Sequence, residues 1–225
     1  MKRSGTLIYP FELEGYLETL LPERDMLMKE LETQALQETI PVVTPAVGNF
    51  IANLAQMNKA CNILEIGTAI GYSTLWLAKS VELTGGQVTT IDLNLDRQKR
   101  ARAYFERAGV SHLITSLGGD ARKLLPLLDC TFDFVFIDAA KGEYLEYLEL
   151  VVPLITLGGL LVVDNVLFRG WVVPGAVFDL KYRRLVTGIR EFLDKLCHNS
   201  QFRTSILPLG DGLSVSIKQK FNCFD

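Results

Sequence analysis

The sequence predicts a single α/β domain built on a doubly wound, mostly parallel sheet. The prediction rests on three features of the chain. From Cys61 onward, short apolar runs alternate with amphipathic segments of helix length. Those runs are apolar on both faces, as strands covered by helices on both sides must be. No low-complexity linker divides the 225 residues, a length that one α/β domain accommodates.

Two helical stretches open the chain. Within "ERDMLMKELETQALQET", Leu27, Leu31 and Ala35 recur every fourth residue and give one apolar stripe on a charged helix. "IPVVTP" then breaks the pattern. Thr44 can cap the next helix and Pro45 suits its first position, with Val47, Phe50, Ile51 and Leu54 at helical spacing behind them. The runs "NILEIG", "QVTTID", "HLITSLGGD", "DFVFID" and "GGLLVVDN" read as parallel strands. Helices are expected between them at about 72–82, 95–108, 121–128 and 141–154, give or take a few residues. Gly109 stands where a helix-ending glycine belongs. "DLKYRRLVTGIREFLDKLCHN" reads as one long helix, and "FRTSILPLG" with "LSVSIKQ" as two strands joined by the turn "GDG". The domain thus runs from an N-terminal helical segment (1–44) through the alternating core (61–165) to a C-terminal part (166–225).

Composition narrows the function classes. Hydrophobic content of 48%, charged content of 22% and a net charge of −3 describe an ordinary soluble chain, and nothing global demands a nucleic-acid or membrane partner. "MKRSGTLIYP" lacks the apolar core of a signal peptide, and no run approaches the ~20 apolar residues of a membrane span. Cys61, Cys130, Cys197 and Cys223 are scattered, without a C-x-x-C pair or metal spacing, so they read as reduced thiols of a cytoplasmic protein. His112 and His198 carry no evident chemistry.

In a doubly wound sheet, ligands bind outside the carboxyl ends of the strands. There the chain places Glu65-Ile66-Gly67, Asp92, Asp120, Asp138 and Asp164-Asn165. One acid at a strand end is ordinarily a turn or cap residue. Five strands in succession ending so suggest a ligand that is cationic or rich in hydroxyls.

The loop "GTAIGYS" is glycine-rich and opens a helix. It is not G-x-G-x-x-G, because Ala69 takes the place of the second glycine, and it lacks the G-K-[ST] of a P-loop. A nucleoside without phosphate remains: Asp92 could hold ribose hydroxyls and Asp120 an adenine amino group. S-Adenosylmethionine, a positively charged and phosphate-free adenosine, fits that description.

"ILEIGTAIGYSTLWLA", "VTTIDLN", "GDA", "FDFVFIDAAK", "GGLLVVDNVLFRG" and "LPLGDGLSVSIK" closely resemble the small metal-dependent O-methyltransferases of the caffeoyl-CoA and catechol type. The resemblance spans about residues 40–219. It implies a Rossmann-like methyltransferase fold, with a seven-stranded sheet whose last strand is antiparallel, a methyl donor, a divalent cation and a homodimer. Carried over position by position, Asp138, Asp164 and Asn165 would hold the metal. Val43, Glu65, Gly67, Ser73, Asp92, Asp120, Ala121 and Asp138 would line the donor site, with acceptor-side residues after position 166. Hard oxygen ligands, two of them anionic, suit Mg²⁺ or Mn²⁺ better than zinc. Lys141 would take the acceptor's proton; the alternative is a lysine simply exposed to water. A phenolic hydroxyl ionises near ~10 on its own, and a bound cation brings that down.

The metal chemistry favours two adjacent oxygens. Catechols offer them, and so does 5-hydroxyuridine with its neighbouring carbonyl. "IPVVTP", "LEIGTAIGYS" and "DNVLFRG" look like the bacterial branch that methylates 5-hydroxyuridine at the tRNA wobble position, so the tRNA anticodon loop is the expected acceptor. Arg169, Lys181, Arg183, Arg184 and Arg190 could contact its phosphates, or form a solvated helix face. Phe168, Trp171 and Tyr182 could stack on a flipped base or line a catechol pocket. Lys2 and Arg3 are too few for a basic arm. A small catechol-like acceptor is the other reading. A non-catalytic donor-binding module is a third, opposed by the presence of Asp138, Lys141, Asp164 and Asn165 together.

Overall fold

The computed structural model describes residues 11–220; Lys2, Arg3 and Cys223 lie outside the described residues. Helices α1 (Phe11–Thr19) and α2 (Met26–Gln37) come first. Asp25 caps α2 by accepting from the Met28 amide at 2.8 Å. Met28, Leu31 and Ala35 form the buried stripe, so Leu27 sits at its edge rather than its centre. Helix α3 (Pro45–Met57) begins as Thr44 and Pro45 predict, with the Thr44 hydroxyl accepting from Val47 N at 3.3 Å.

Strand β1 (Asn62–Ile66), helix α4 (Tyr72–Val81), β2 (Gln87–Asp92), α5 (Leu95–Arg107) and β3 (Ile114–Gly118) follow. Then come α6 (Ala121–Leu124), β4 (Phe132–Ile137), α7 (Tyr144–Val151), β5 (Ile155–Val163), α8 (Arg183–Cys197), β6 (Phe202–Leu207) and β7 (Leu213–Lys218). The strands form one seven-stranded sheet in the order β3-β2-β1-β4-β5-β7-β6. Strands β1 to β5 pair in parallel, while β7 is antiparallel to both β5 and β6. The last strand alone runs against the others, as the resemblance implied.

Strand alternation divides the core in two. Ile63, Val88, Phe134, Phe136 and Val162 face α2, α3, α4 and α5, against Leu31, Ile51, Leu75 and Phe105. Leu64, Ile91, Val135, Ile137 and Val163 face α6, α7 and α8, against Tyr144, Leu148, Phe192 and Leu196. Each central strand is therefore largely apolar on both faces because it has no solvent face.

Three predicted helices are shorter than the pattern suggested, and the cause is local. Pro126 converts the end of the 121–128 segment to a 3₁₀ turn, and Pro153 does the same after α7. Lys141–Glu143 is a separate 3₁₀ turn ahead of α7. Asp179 caps a further turn at Leu180–Tyr182, so α8 starts only at Arg183. His112 sits in a 3₁₀ turn before β3, not in the strand. Among the described residues, no helix is long and apolar enough to cross a membrane, and Cys61, Cys130 and Cys197 are free and exposed.

Candidate active site

The sheet order reverses between β1 and β4, and the ladder continues one residue past the strands there. Gly67 N donates to Ile91 O at 2.8 Å, Asp138 N to Ile66 O at 2.9 Å and Asp164 N to Ile137 O at 2.9 Å. Gly67, Asp138 and Asp164 are thus the first residues beyond one edge, held by main chain alone. Gly67 has φ +109, and a β-carbon on it would overlap the carbonyl oxygen of Asp138. Only glycine lets these two strand ends approach so closely.

A cavity of about 380 Å³ opens at this edge. Of the residues expected to bind ligand, it is lined by Gly67, Ser73, Asp92, Asp120, Ala121, Asp138, Lys141, Asp164 and Asn165. Val43 and Glu65 are not brought to its wall. Val43 is packed into the core, and its neighbour Val42 lines the cavity instead. In extended backbone adjacent side chains point opposite ways, which explains the one-residue offset.

Glu65 lies inside β1, fully buried, paired in register with Thr90 on one side and Phe136 on the other. Burial pushes its carboxyl up to about 7, against the opposing hydroxyls of Ser73, Thr74 and Thr90. The hydroxyls of Thr74 and Thr90 donate to Oε2, while Oε1 is buried with no hydrogen-bond partner.

Asp92 accepts from Ala69 N and from Asn94 N, both at 2.7 Å, one on each oxygen. Ala69 itself is left-handed, with φ 44. The carboxylate therefore fixes the loop that closes over the cavity. Asp120 is engaged by Arg122: Nε meets Oδ1 at 3.0 Å and Nη2 meets Oδ2 at 2.9 Å. This guanidinium holds the Asp120 carboxyl below its ordinary range. Arg122 lines the cavity together with Tyr72 and Tyr147. Tyr72 belongs to the "GTAIGYS" loop, whereas Arg122 and Tyr147 carry no motif and only the fold reveals them.

Asp138 and Asp164 stand on adjacent strands. Asp164 is 3% exposed, and Asp138 is partly open to the cavity. Desolvation raises both carboxyls; for Asp164, repulsion from Asp138 adds to it and brings the group to about 7. Asp164 Oδ1 accepts from Asn165 N at 2.6 Å, and the Tyr144 hydroxyl donates to the Asp164 carbonyl at 2.8 Å. Lys141 Nζ donates to Asn165 Oδ1 at 2.6 Å. Among the described residues no three His, Cys, Asp or Glu groups gather, so a cation here would take the Asn165 amide oxygen as its third protein ligand. Two repelling carboxylates beside a neutral oxygen suit a hard divalent ion.

The aromatic residues after position 166 are turned inward, whereas of the basic ones only Arg190 is partly buried and Arg169 and Lys181 are exposed. Arg190 donates to the carbonyls of Trp171, Val172 and Val173 at 2.9–3.0 Å, so it clamps a loop rather than facing a phosphate. Lys181 pairs with Asp179 at 3.0 Å, and the Arg169 guanidinium lies 5.3 Å from the Trp171 ring centroid. Arg183 and Arg184 stay exposed. Phe168, Trp171, Phe178 and Tyr182 pack on one another, with Trp171 stacked on Phe178 at 5.8 Å. None of these four is in the cavity wall.

The sheet order, the Gly67 turn and the acid-lined cavity place a ligand site at the switch point of a doubly wound fold. A family model described as O-methyltransferase matches residues 19–219, and the chain belongs to that family. It is an S-adenosylmethionine-dependent O-methyltransferase. Caffeoyl-CoA O-methyltransferase 3 of Nicotiana tabacum is 32% identical, with 92% of this chain and 88% of the relative aligned. The O-methyltransferase TomG from Streptomyces achromogenes, involved in tomaymycin synthesis and solved in complex with SAM, superposes with a TM-score of 0.82 at 29% identity, covering 93% of this chain and 96% of that one. An O-methyltransferase from Bacillus cereus in complex with SAH gives 0.82 at 29%, covering 92% and 97%.

Proposed function

We propose that the chain methylates a hydroxyl lying beside a second oxygen on a small catechol-like acceptor, with Asp138, Asp164 and Asn165 holding Mg²⁺ or Mn²⁺. The observation that carries this reading is the pair of repelling carboxylates, Asp138 and Asp164, next to the Lys141–Asn165 hydrogen bond at 2.6 Å. A cation, when bound, would lower the pKa of the acceptor hydroxyl. S-Adenosylmethionine, when bound, supplies a methyl group on a sulfonium that departs as a neutral thioether. Asp92, in the cavity wall, would take ribose hydroxyls. Lys141 receives the acceptor's proton at Nζ.

Two observations favour the small acceptor. Relatives carry caffeoyl-CoA O-methyltransferase in their names. Arg190, one of the five basic residues expected to meet phosphates, is occupied within the chain. The second reading is 5-hydroxyuridine at the tRNA wobble position, supported by the exposed Arg183 and Arg184. A homodimer is proposed on the resemblance alone; sedimentation equilibrium tests it.

The deciding experiment pairs two measurements. Purified protein with S-adenosylmethionine and a catechol should form the monomethyl ether, and EDTA should abolish it. Activity insensitive to EDTA would remove the cation from the reading. Mass spectrometry of tRNA nucleosides from a deletion strain should be unchanged for a small acceptor. Accumulated 5-hydroxyuridine would transfer the conclusion to tRNA.

A further inference from the structure

The motif "LPLGDG" has no part in donor binding, cation binding or proton transfer, yet it touches the segment that follows Asn165. It forms the loop between β6 and β7. Gly212 O accepts from Val166 N at 2.9 Å, and Asp211 O accepts from Leu167 N at 3.0 Å. The Asp211 carboxylate then reaches further along the same segment and accepts from Arg169 N. Gly212 has φ +93, and a β-carbon there would overlap the Leu167 side chain, so the two loops are in close contact.

The segment so held is backbone that does not keep its shape unaided. Asn165, Phe168 and Arg169 all have positive φ, at 57, 42 and 57. Left-handed backbone is unfavourable for residues with a side chain and persists where surrounding contacts over-determine it. Here the contacts come from the β6–β7 loop. At one end of the segment is the Asn165 oxygen bonded to Lys141. At the other is Trp171, whose carbonyl Arg190 clamps.

We propose that Asp211 is a positioning residue for the acceptor end of the site: its carboxylate, bonded to Arg169 N, holds the left-handed turn that spaces Asn165 from the Phe168–Trp171 cluster. The inference rests on the reading that the acceptor enters beside Asn165. Asp211 also carries a charge felt by Asp164, so hydrogen bond and charge must be separated. Asp211→Asn keeps an accepting oxygen and removes the charge; Asp211→Ala removes both.

The test measures steady-state methylation of caffeic acid, S-adenosylhomocysteine binding by calorimetry, and amide hydrogen exchange over 166–171, in wild type and both variants. In Asp211→Ala the acceptor KM should rise about tenfold with kcat changed by less than about threefold, because the turn shapes the acceptor's entry and its contacts are made equally in ground and transition states. Exchange over 166–171 should quicken about tenfold or more. Nucleoside affinity should stay within about twofold in both variants, and Asp211→Asn should match wild type in KM and exchange. An Asp211→Ala protein with unchanged exchange, or with faster exchange and unchanged KM, overturns the proposal. So does an Asp211→Asn protein as impaired as Asp211→Ala, since charge would then be the cause. If wild type leaves caffeic acid unmethylated, the catechol reading fails separately, and the exchange comparison still decides whether Asp211 holds the turn.

Discussion

Lys141 Nζ and Asn165 Oδ1 lie 2.6 Å apart, joining the 3₁₀ turn after β4 to the end of β5. The proposed base therefore touches one of the three residues proposed to hold a cation. Lys141→Ala should lower kcat by about 10²–10⁴-fold, the ordinary contribution of a positioned base. S-Adenosylmethionine affinity, measured by calorimetry, should move by less than about twofold. Lys141→Arg should not restore turnover, because a guanidinium does not give up its proton. Unchanged kcat in Lys141→Ala would exclude it as the base.

The Asp138–Asp164 pair predicts how stability depends on pH. Asp164 is raised from 3.8 to about 7, so the folded protein binds more protons than the unfolded chain across that interval. Stability of the cation-free protein should then fall as pH rises from about 4 to about 7, and the full penalty should persist above it. A cation that binds only the folded state relieves the repulsion, and more so where both carboxylates are ionised. Adding Mg²⁺ should raise Tm by several degrees at pH 8 and by much less at pH 5.5, followed by scanning calorimetry. Equal shifts at the two values, or none, would speak against a cation between these residues.

Gly67 is the residue on which the approach of β1 to β4 depends. Gly67→Ala places a methyl group against the Asp138 carbonyl and forces a side chain onto φ +109. The cost expected is at least about 2 kcal/mol, above that of a typical surface change. Urea unfolding should register it as a lower midpoint with unchanged slope. Donor affinity should fall with it, since Gly67 and Asp138 share the cavity wall. A variant of wild-type stability and affinity would mean that the strand ends can separate at no cost.

Much of this arrangement was legible in the residues. Continuous apolar strands and the acids behind them located the cavity edge, and Thr44 with Pro45 located a helix start. What escaped the sequence was pairing. Nothing in "GDARKLLP" indicates that Arg122 turns back onto Asp120, and nothing in α8 distinguishes Arg190, which clamps three carbonyls, from the exposed Arg183 and Arg184. Charge alone does not say whether a side chain faces water or folds onto its own backbone. Val43 lies in the core and Val42 in the cavity wall for a related reason: the extended segment before α3 has an in/out phase that its composition does not reveal.

That difference among the arginines yields a prediction that separates the two acceptors. Arg190 makes charge-assisted bonds to Trp171, Val172 and Val173, each worth on the order of 1.5–3 kcal/mol when made to a charged group. Arg190→Ala should therefore loosen the 171–173 loop and raise the KM of any acceptor, catechol or RNA, several-fold. Arg183 and Arg184 are exposed, and reversing both to glutamate should leave the fold and catechol turnover within about twofold, as surface changes usually do. On a tRNA acceptor the same double reversal should weaken binding by about tenfold or more and flatten its salt dependence, because phosphate contacts and counterion release are lost together. Methylation of both acceptor types by the Arg190→Ala and Arg183→Glu/Arg184→Glu proteins, each at two ionic strengths, decides between them. Catechol methylation that survives the double reversal and responds weakly to salt identifies a small acceptor. Activity that disappears with the charge reversal identifies an RNA one.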